Sequence, residues 1–268
     1  MAALALAILL LVAGGSSALA GTWLEFEARD QGGDRPLRRR GVIDLEPDRM
    51  RLDVSEESTS VVYRADLDQA WVLDHRDRSF VRISRAAMDD LSRRMGEAKA
   101  ELGARLEAMS PELRAAMERT LGKALGPGPA EAAKLGVRET GRKERVNGVR
   151  CAELELRRGE ETLAVVCTAD WKSAAVEPET FRPIQKLGPF VRSILSVTSV
   201  FRDVAVRADD LDVLDAIGRL DGVPVRIQVL DSGRPIREIT VTSIERRSFA
   251  GNTFEIPAGY QQAALPLP

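Results

Sequence analysis

The sequence predicts an α+β protein, one antiparallel sheet of about eight to eleven strands with helices packed against it. Three patterns carry that expectation. From Thr22 to Ile83 the apolar residues recur with period two, and turn residues interrupt them roughly every eight to twelve positions. From Ala86 to Leu125 the apolar spacing lengthens to three and four. Alternation then resumes from Cys151 and runs, with helical interruptions, almost to the end.

The first stretch reads as a meander. Leu24, Phe26 and Ala28 open it, followed by Ile43 and Leu45, then Met50, Leu52 and Val54 alternating with Arg49, Arg51 and Asp53. Val61 to Tyr63, Trp71 with Leu73, and Phe80 to Ile83 complete it. Gly32-Gly33-Asp34, Glu46-Pro47-Asp48 and Asp74-His75-Arg76-Asp77 supply the turns. Connections this short join antiparallel strands, because parallel strands need long crossovers.

Met88, Leu91, Met95, Ala98, Leu102, Leu106 and Met109 then mark one face of an amphipathic helix. Ser110-Pro111-Glu112 restarts it with an N-cap, a first-turn proline and an acid, and Gly126-Pro127-Gly128-Pro129 ends it. The pair is a helical insertion, residues 86–125, between strands. Ala152, Leu154 and Leu156 form the next strand, Arg158-Gly159-Glu160 a turn, and Leu163, Val165 and Cys167 the strand that returns. Pro178 to Val200 reads as mostly helical, with Pro183 and Pro189 limiting its regular part. Leu211 to Leu220 is a short helix. Val223 to Val229 and Ile239 with Val241 form a hairpin about Asp231-Ser232-Gly233. Phe254 to Ile256 is expected as a last strand, and residues 263–268 as a frayed tail.

The amino terminus sets the compartment. Ala2 to Ala13 is an unbroken apolar run, followed by Gly14-Gly15-Ser16-Ser17 and Ala18-Leu19-Ala20. That is the pattern of a secretory signal peptide, residues 1–20, cut near Ala20. The run is shorter than the ~20 apolar residues of a membrane-spanning helix. No Lys or Arg precedes it, so an uncleaved anchor is the alternative. The mature chain, residues 21–262 before the tail, is expected as one domain in the periplasm or secreted. No Cys follows the cut, which speaks against a bacterial lipid anchor.

The net charge of -2 implies no nucleic-acid partner. Only six of the cations are Lys, and the densest basic run, Arg38-Arg39-Arg40, reads as a solvated strand end. Catalytic constellations are hard to assemble. His75 is the single histidine, so any Ser-His or Cys-His nucleophile would have to use it. There is no Gly-rich phosphate loop, no Gly-x-Ser-x-Gly, and no His/Cys cluster for zinc. Acidic runs such as Asp209-Asp210-Leu211-Asp212 read as helix starts and solvated faces. Trp23, Trp71 and Trp171 fall on strand-like segments, where packing is their role. The expectation is a protein that is not an enzyme and needs no cofactor or metal.

Two cysteines in an exported chain are expected to pair. With a three-residue turn at Arg158 to Glu160, Cys151 falls opposite Cys167, Ala152 opposite Val166 and Leu154 opposite Ala164. The cysteines then share the face opposite the apolar one, within the reach of a disulfide. A Cys-x-x-Cys redox motif is absent.

Several short motifs resemble an uncharacterised bacterial exported family, a domain of unknown function related to the outer-membrane lipoprotein carrier (Lol-type) fold. They are Tyr63-Arg64-Ala65-Asp66, Gln69-Ala70-Trp71-Val72-Leu73-Asp74 with Ser79-Phe80, Gly148-x-x-Cys151, Gly222-Val223-Pro224, and Phe254-Glu255-Ile256-Pro257-Ala258-Gly259-Tyr260. The resemblance implies a strongly curved antiparallel sheet, a half-barrel, with helices on its concave face and an apolar cavity between. The insertion 86–125 is longer than that pattern, and Cys167 stands where an aromatic is more usual. The resemblance transfers no site residue.

Two functions follow as expectations. In the first, the protein binds an apolar or acylated ligand, such as a lipid or a lipoprotein anchor, in a cavity lined by Met88, Leu91, Met95 and Leu102. Methionine among leucines suits a surface that repacks around chains of varied length. In the second, the cavity is filled, and the protein is a structural or sensory envelope component acting through a protein partner.

Overall fold

In a computed structural model the described residues are 20–32, 37–55, 57–87, 89–90, 93–94, 96–97, 101, 135–195 and 208–264, with the side chains of 192–195 and 208 excepted. They form one twelve-stranded sheet in the order β12-β6-β5-β4-β3-β2-β1-β11-β10-β9-β8-β7. The strands are β1 (Gly21–Asp30), β2 (Leu37–Glu46), β3 (Arg49–Val54), β4 (Thr59–Arg64), β5 (Gln69–Asp74) and β6 (Ser79–Ser84). After the insertion come β7 (Gly136–Val146), β8 (Val149–Arg158), β9 (Glu161–Ala169), β10 (Val223–Asp231), β11 (Arg234–Arg247) and β12 (Gln261–Ala263). A 3₁₀ turn, Pro178–Phe181, leads into helix α1 (Arg182–Leu195), and α2 (Ala208–Gly218) follows. The sheet is open and curved, and all its pairings are antiparallel except that of β12 with β6. Among the described residues no helix is long and apolar enough to cross a membrane.

The meander β1–β6 forms as its period-two pattern requires. Thr22, Leu45, Met50, Tyr63, Ala70 and Ile83 are successive cross-strand partners, so they line one face as a single row. The 3₁₀ turn and α1 close over that row. Phe190 of α1 stacks on Tyr63 with ring centroids 4.9 Å apart, and each is only 1% exposed. A buried Thr22–Thr180 hydroxyl hydrogen bond, 3.0 Å, pins the 3₁₀ turn to β1. Helix α2 lies beside α1 and seals Leu156, Ala164 and Val166 of β8 and β9 with Val213, Ala216 and Ile217. The two helices approach closely because glycines stand at the crossing. A Cβ on Gly218 would lie 3.0 Å from Gln185 Cα. Pro189, expected to limit the helix, sits inside α1, which runs past it although the proline has no N–H to bond the Gln185 carbonyl.

The other face of β4–β6 is covered by the chain after β11. Val62, Trp71, Leu73 and Phe80 pack on Phe254, with Phe249, Ile256 and Tyr260 around it. The expected strand at Phe254 to Ile256 is therefore a turn-rich strap. Buried Phe254 anchors it, and the last strand lies further on, at Gln261–Ala263, capping β6. Trp171 likewise lies in a turn after β9, where its Nε1 donates to Asp221 at 2.7 Å, rather than in a strand.

The twelve strands exceed the expected eight to eleven. β7 is the strand that period-two reading passes over, because its sequence GVRETGRKERV is exposed along most of its length. It is an edge strand, and its charges and the Gly141 irregularity blunt it against stray pairing. The Asn147-Gly148 pair joins it to β8 with positive φ at both residues (46° and 87°), the backbone of a tight hairpin turn.

Of the expected insertion 86–125, residues 86–87, 89–90, 93–94, 96–97 and 101 are helical, as is Arg85 before it. The remainder of 86–125, residues 1–19 of the expected signal segment 1–20, and residues 265–268 lie outside the described residues.

Candidate functional site

The expected disulfide exists. Cys151 and Cys167 are joined, with Cα atoms 5.4 Å apart. The register differs from the expected one. The β8–β9 turn is the two-residue Gly159-Glu160, and an irregularity follows Leu156, so Glu153 faces Cys167, Leu154 faces Val166 and Leu156 faces Ala164. The net offset is two residues. An even shift keeps each side chain on its face, so the bridge forms diagonally instead of straight across. The disulfide is also not on a solvated face. Cys151 is 5% and Cys167 1% exposed, packed with Val146, Val223 and Val225. Glu144 completes a group with the two sulfurs, but sulfurs bonded to each other are not thiolate ligands for a metal.

Met88, Leu91, Met95 and Leu102, the expected lining of an apolar cavity, all lie outside the described residues. Beneath α1, Tyr63 and Phe190 are each 1% exposed and pack ring against ring. Burial pushes the Tyr63 hydroxyl up to about 12.

His75 has partners that the sequence did not foretell. Its Nε2 lies 2.5 Å from Ser60 Oγ and its Nδ1 2.6 Å from Tyr260 OH. The Ser60 hydroxyl also bonds Asp53, which Arg51 grips at 2.7 and 3.0 Å. A carboxylate only accepts, so Ser60 donates to Asp53 and accepts from His75 Nε2–H, leaving Nδ1 to accept from Tyr260. Burial opposes ionisation of Asp53. The hydrogen bonds from Arg51 and Ser60 outweigh it and hold the carboxyl below its usual range. The residue types are those of a nucleophile triad, but the order is not. Asp53 bonds the serine rather than the imidazole, and Ser60 is 2% exposed, out of reach of a substrate. The chain is a polar seam that ties the C-terminal strap to β3–β5.

A concavity among the described residues lies elsewhere. The tip of the β7–β8 hairpin folds back over strands it does not pair with. Asn147 Nδ2 donates to the Val241 carbonyl of β11 at 2.7 Å, and Arg226 of β10 holds Glu144 of β7 through both its terminal nitrogens. Between that tip and β1, β10 and β11 is a cleft of about 410 Å³. Glu27, Arg29, Arg145, Arg226 and Glu238 supply its charge, and Thr240 and Thr242 its hydroxyls. Two guanidiniums already claim Glu27. Arg38, then Arg29 at 2.6 Å, hold its carboxyl below the usual range. Arg226 Nε is buried with no hydrogen-bond acceptor among the described residues. Arg145 donates to the Gly148 carbonyl at 2.9 Å. Sequence reading found none of these as a site, because β7 was unseen and the cleft needs its tip. The Asn147-Gly148 dipeptide was the one readable signal.

No protein-family model and no curated protein matches the chain. It is similar in structure to PNGF-II, at 8% identity and a TM-score of 0.39, over 92% of this chain and 31% of that one. It is similar also to MucB in the Pseudomonas aeruginosa MucA/MucB complex, at 11% identity and 0.39, over 90% and 56%. A LolA-superfamily protein from Nitrosomonas europaea, at 8% identity and 0.32, is covered over 90% by 88% of this chain. The chain thus spans about a third of PNGF-II and little more than half of MucB.

Proposed function

We propose that this is an exported, non-enzymatic envelope protein that binds a protein partner through the polar cleft, with its sheet as a filled scaffold. One observation carries the reading. The row from Thr22 to Ile83 is sealed by α1 down to Phe190 on Tyr63, while the open concavity at the hairpin tip is lined by charged and hydroxyl side chains. A pocket for an acyl chain is mostly apolar, with few polar groups. This cleft is the reverse. The signal-like first twenty residues and a disulfide suited to an oxidising compartment support export.

The reading in which a lipid or lipoprotein anchor binds rests on Met88, Leu91, Met95 and Leu102, the methionine-bearing stripe of the insertion. A titration of the whole chain with a fluorescent long-chain fatty acid separates the two. The partner reading expects no saturable signal. Stoichiometric uptake, lost in Leu91→Arg with the fold retained, would replace it with the acyl-binding reading.

A further inference from the structure

We infer that the cleft at the β7–β8 tip recognises an acidic, extended peptide segment, a deepening that rests on the partner reading above. The cleft lining carries three arginines, Arg29, Arg145 and Arg226, against two glutamates, Glu27 and Glu238. Glu27 is engaged by Arg29 and Arg38, Glu238 by the Gln228 amide at 2.7 Å, and Arg226 by Glu144, which leaves Arg145 as the cleft arginine with no carboxylate partner among the described residues. The positive surface also continues past the cleft. Arg40 is the cross-strand partner of Glu27, and Arg38 that of Arg29, so both stand on the same face of β2 as the cleft residues do on β1. The run that reads in the sequence as a solvated strand end becomes the flank of a basic surface on a chain whose net charge is -2.

Donors dominate what is left for a ligand. Arg145 has no carboxylate partner among the described residues, and its guanidinium presents a planar fork that matches a carboxylate. Arg226 is held by Glu144 through both terminal nitrogens and its Nε is buried, so it shapes the cleft wall and leaves the reachable guanidinium to Arg145. Thr240 and Thr242 add hydroxyls a short step along β11. A ligand that brings carboxylates satisfies these groups, whereas a basic or wholly apolar one leaves them unpaired. A volume near 410 Å³ takes the side chains of a few residues, not a folded domain, so the ligand enters as an extended segment.

The test is fluorescence anisotropy on the full oxidised chain with three labelled nonapeptides: alternating Glu-Ser, Gln-Ser and Lys-Ser. The Glu peptide is expected to bind saturably and to weaken steeply with added salt, and the Gln and Lys peptides to bind at least about tenfold more weakly. Arg145→Glu is expected to weaken the Glu peptide at least about tenfold with an unchanged melting curve, since among the described residues the Arg145 side chain holds only a turn carbonyl. Equal binding of the Glu and Gln peptides, insensitive to Arg145→Glu, overturns the acidic specificity and leaves the partner reading standing. No binding of any peptide, together with fatty-acid uptake, overturns both.

Discussion

Replacing Phe190 by Ala puts the sealed interior to a direct test. Phe190 is 1% exposed, and its ring lies 4.9 Å from that of Tyr63, tilted by 41°. Truncating a fully buried Phe costs about 3–5 kcal/mol, because the lost transfer energy is joined by that of the cavity left behind. The ring pair adds about 0.5–1.5 kcal/mol of its own, part of which such a range already contains. A loss of about 4 kcal/mol is therefore expected, a large share of the ~5–15 kcal/mol typical of a domain. The core cannot collapse easily to absorb it, since the facing row is held by β-sheet pairing and by the Thr22–Thr180 bond. The assay is urea unfolding followed by tryptophan fluorescence. With a slope of about 2–3 kcal/mol/M, the midpoint should fall by roughly 1.3–2 M at unchanged slope. A loss below about 1 kcal/mol would mean that Phe190 borders open space, and the argument for a filled scaffold would fail.

Three further outcomes are expected. The Cys151→Ala/Cys167→Ala double variant should lose about 3 kcal/mol on the chain-entropy estimate for a bridge of separation 16, and intact mass should show the wild type two hydrogens lighter than its reduced form. Asp44, raised to about 6 chiefly by burial and secondarily by Asp53, should make stability fall as pH rises from about 4 to about 6, because the folded state holds the proton there and the unfolded state does not. After discounting for solvent screening of this half-exposed group the amount is about 1 kcal/mol, and an Asp44→Asn variant should lack that slope when its pH–stability curve is subtracted from the wild type's. Tyr260→Phe removes the hydroxyl that His75 Nδ1 accepts from, and should cost about 1 kcal/mol in thermal unfolding, with added proteolysis after β11.

Much of the fold was legible because one face of each meander strand is apolar and the turn residues are distinctive. Met50, Tyr63 and Ala70 advertise their row in period two. β7 was not legible, since an edge strand with charge on both faces has no periodicity to read. The strap failed differently: Phe254 looks like a strand residue, but it is buried because the sheet beneath it offers Val62, Trp71 and Leu73 as a ready apolar floor. The disulfide could be read from its parity, while its register could not, because a two-residue turn and an irregularity at Leu156 are backbone choices that side-chain alternation does not encode. The cleft was invisible for the same kind of reason. Glu27, Arg145 and Arg226 are far apart in sequence and meet only when the hairpin tip folds over β10 and β11.

The central claim is that the interior is filled and that recognition is polar. Native mass spectrometry of the oxidised protein purified from its own envelope, followed by solvent extraction of the same sample, tests it most directly. The bare polypeptide mass and no co-purifying acyl species are expected. One lipid or acylated peptide per chain, retained through purification, would contradict it.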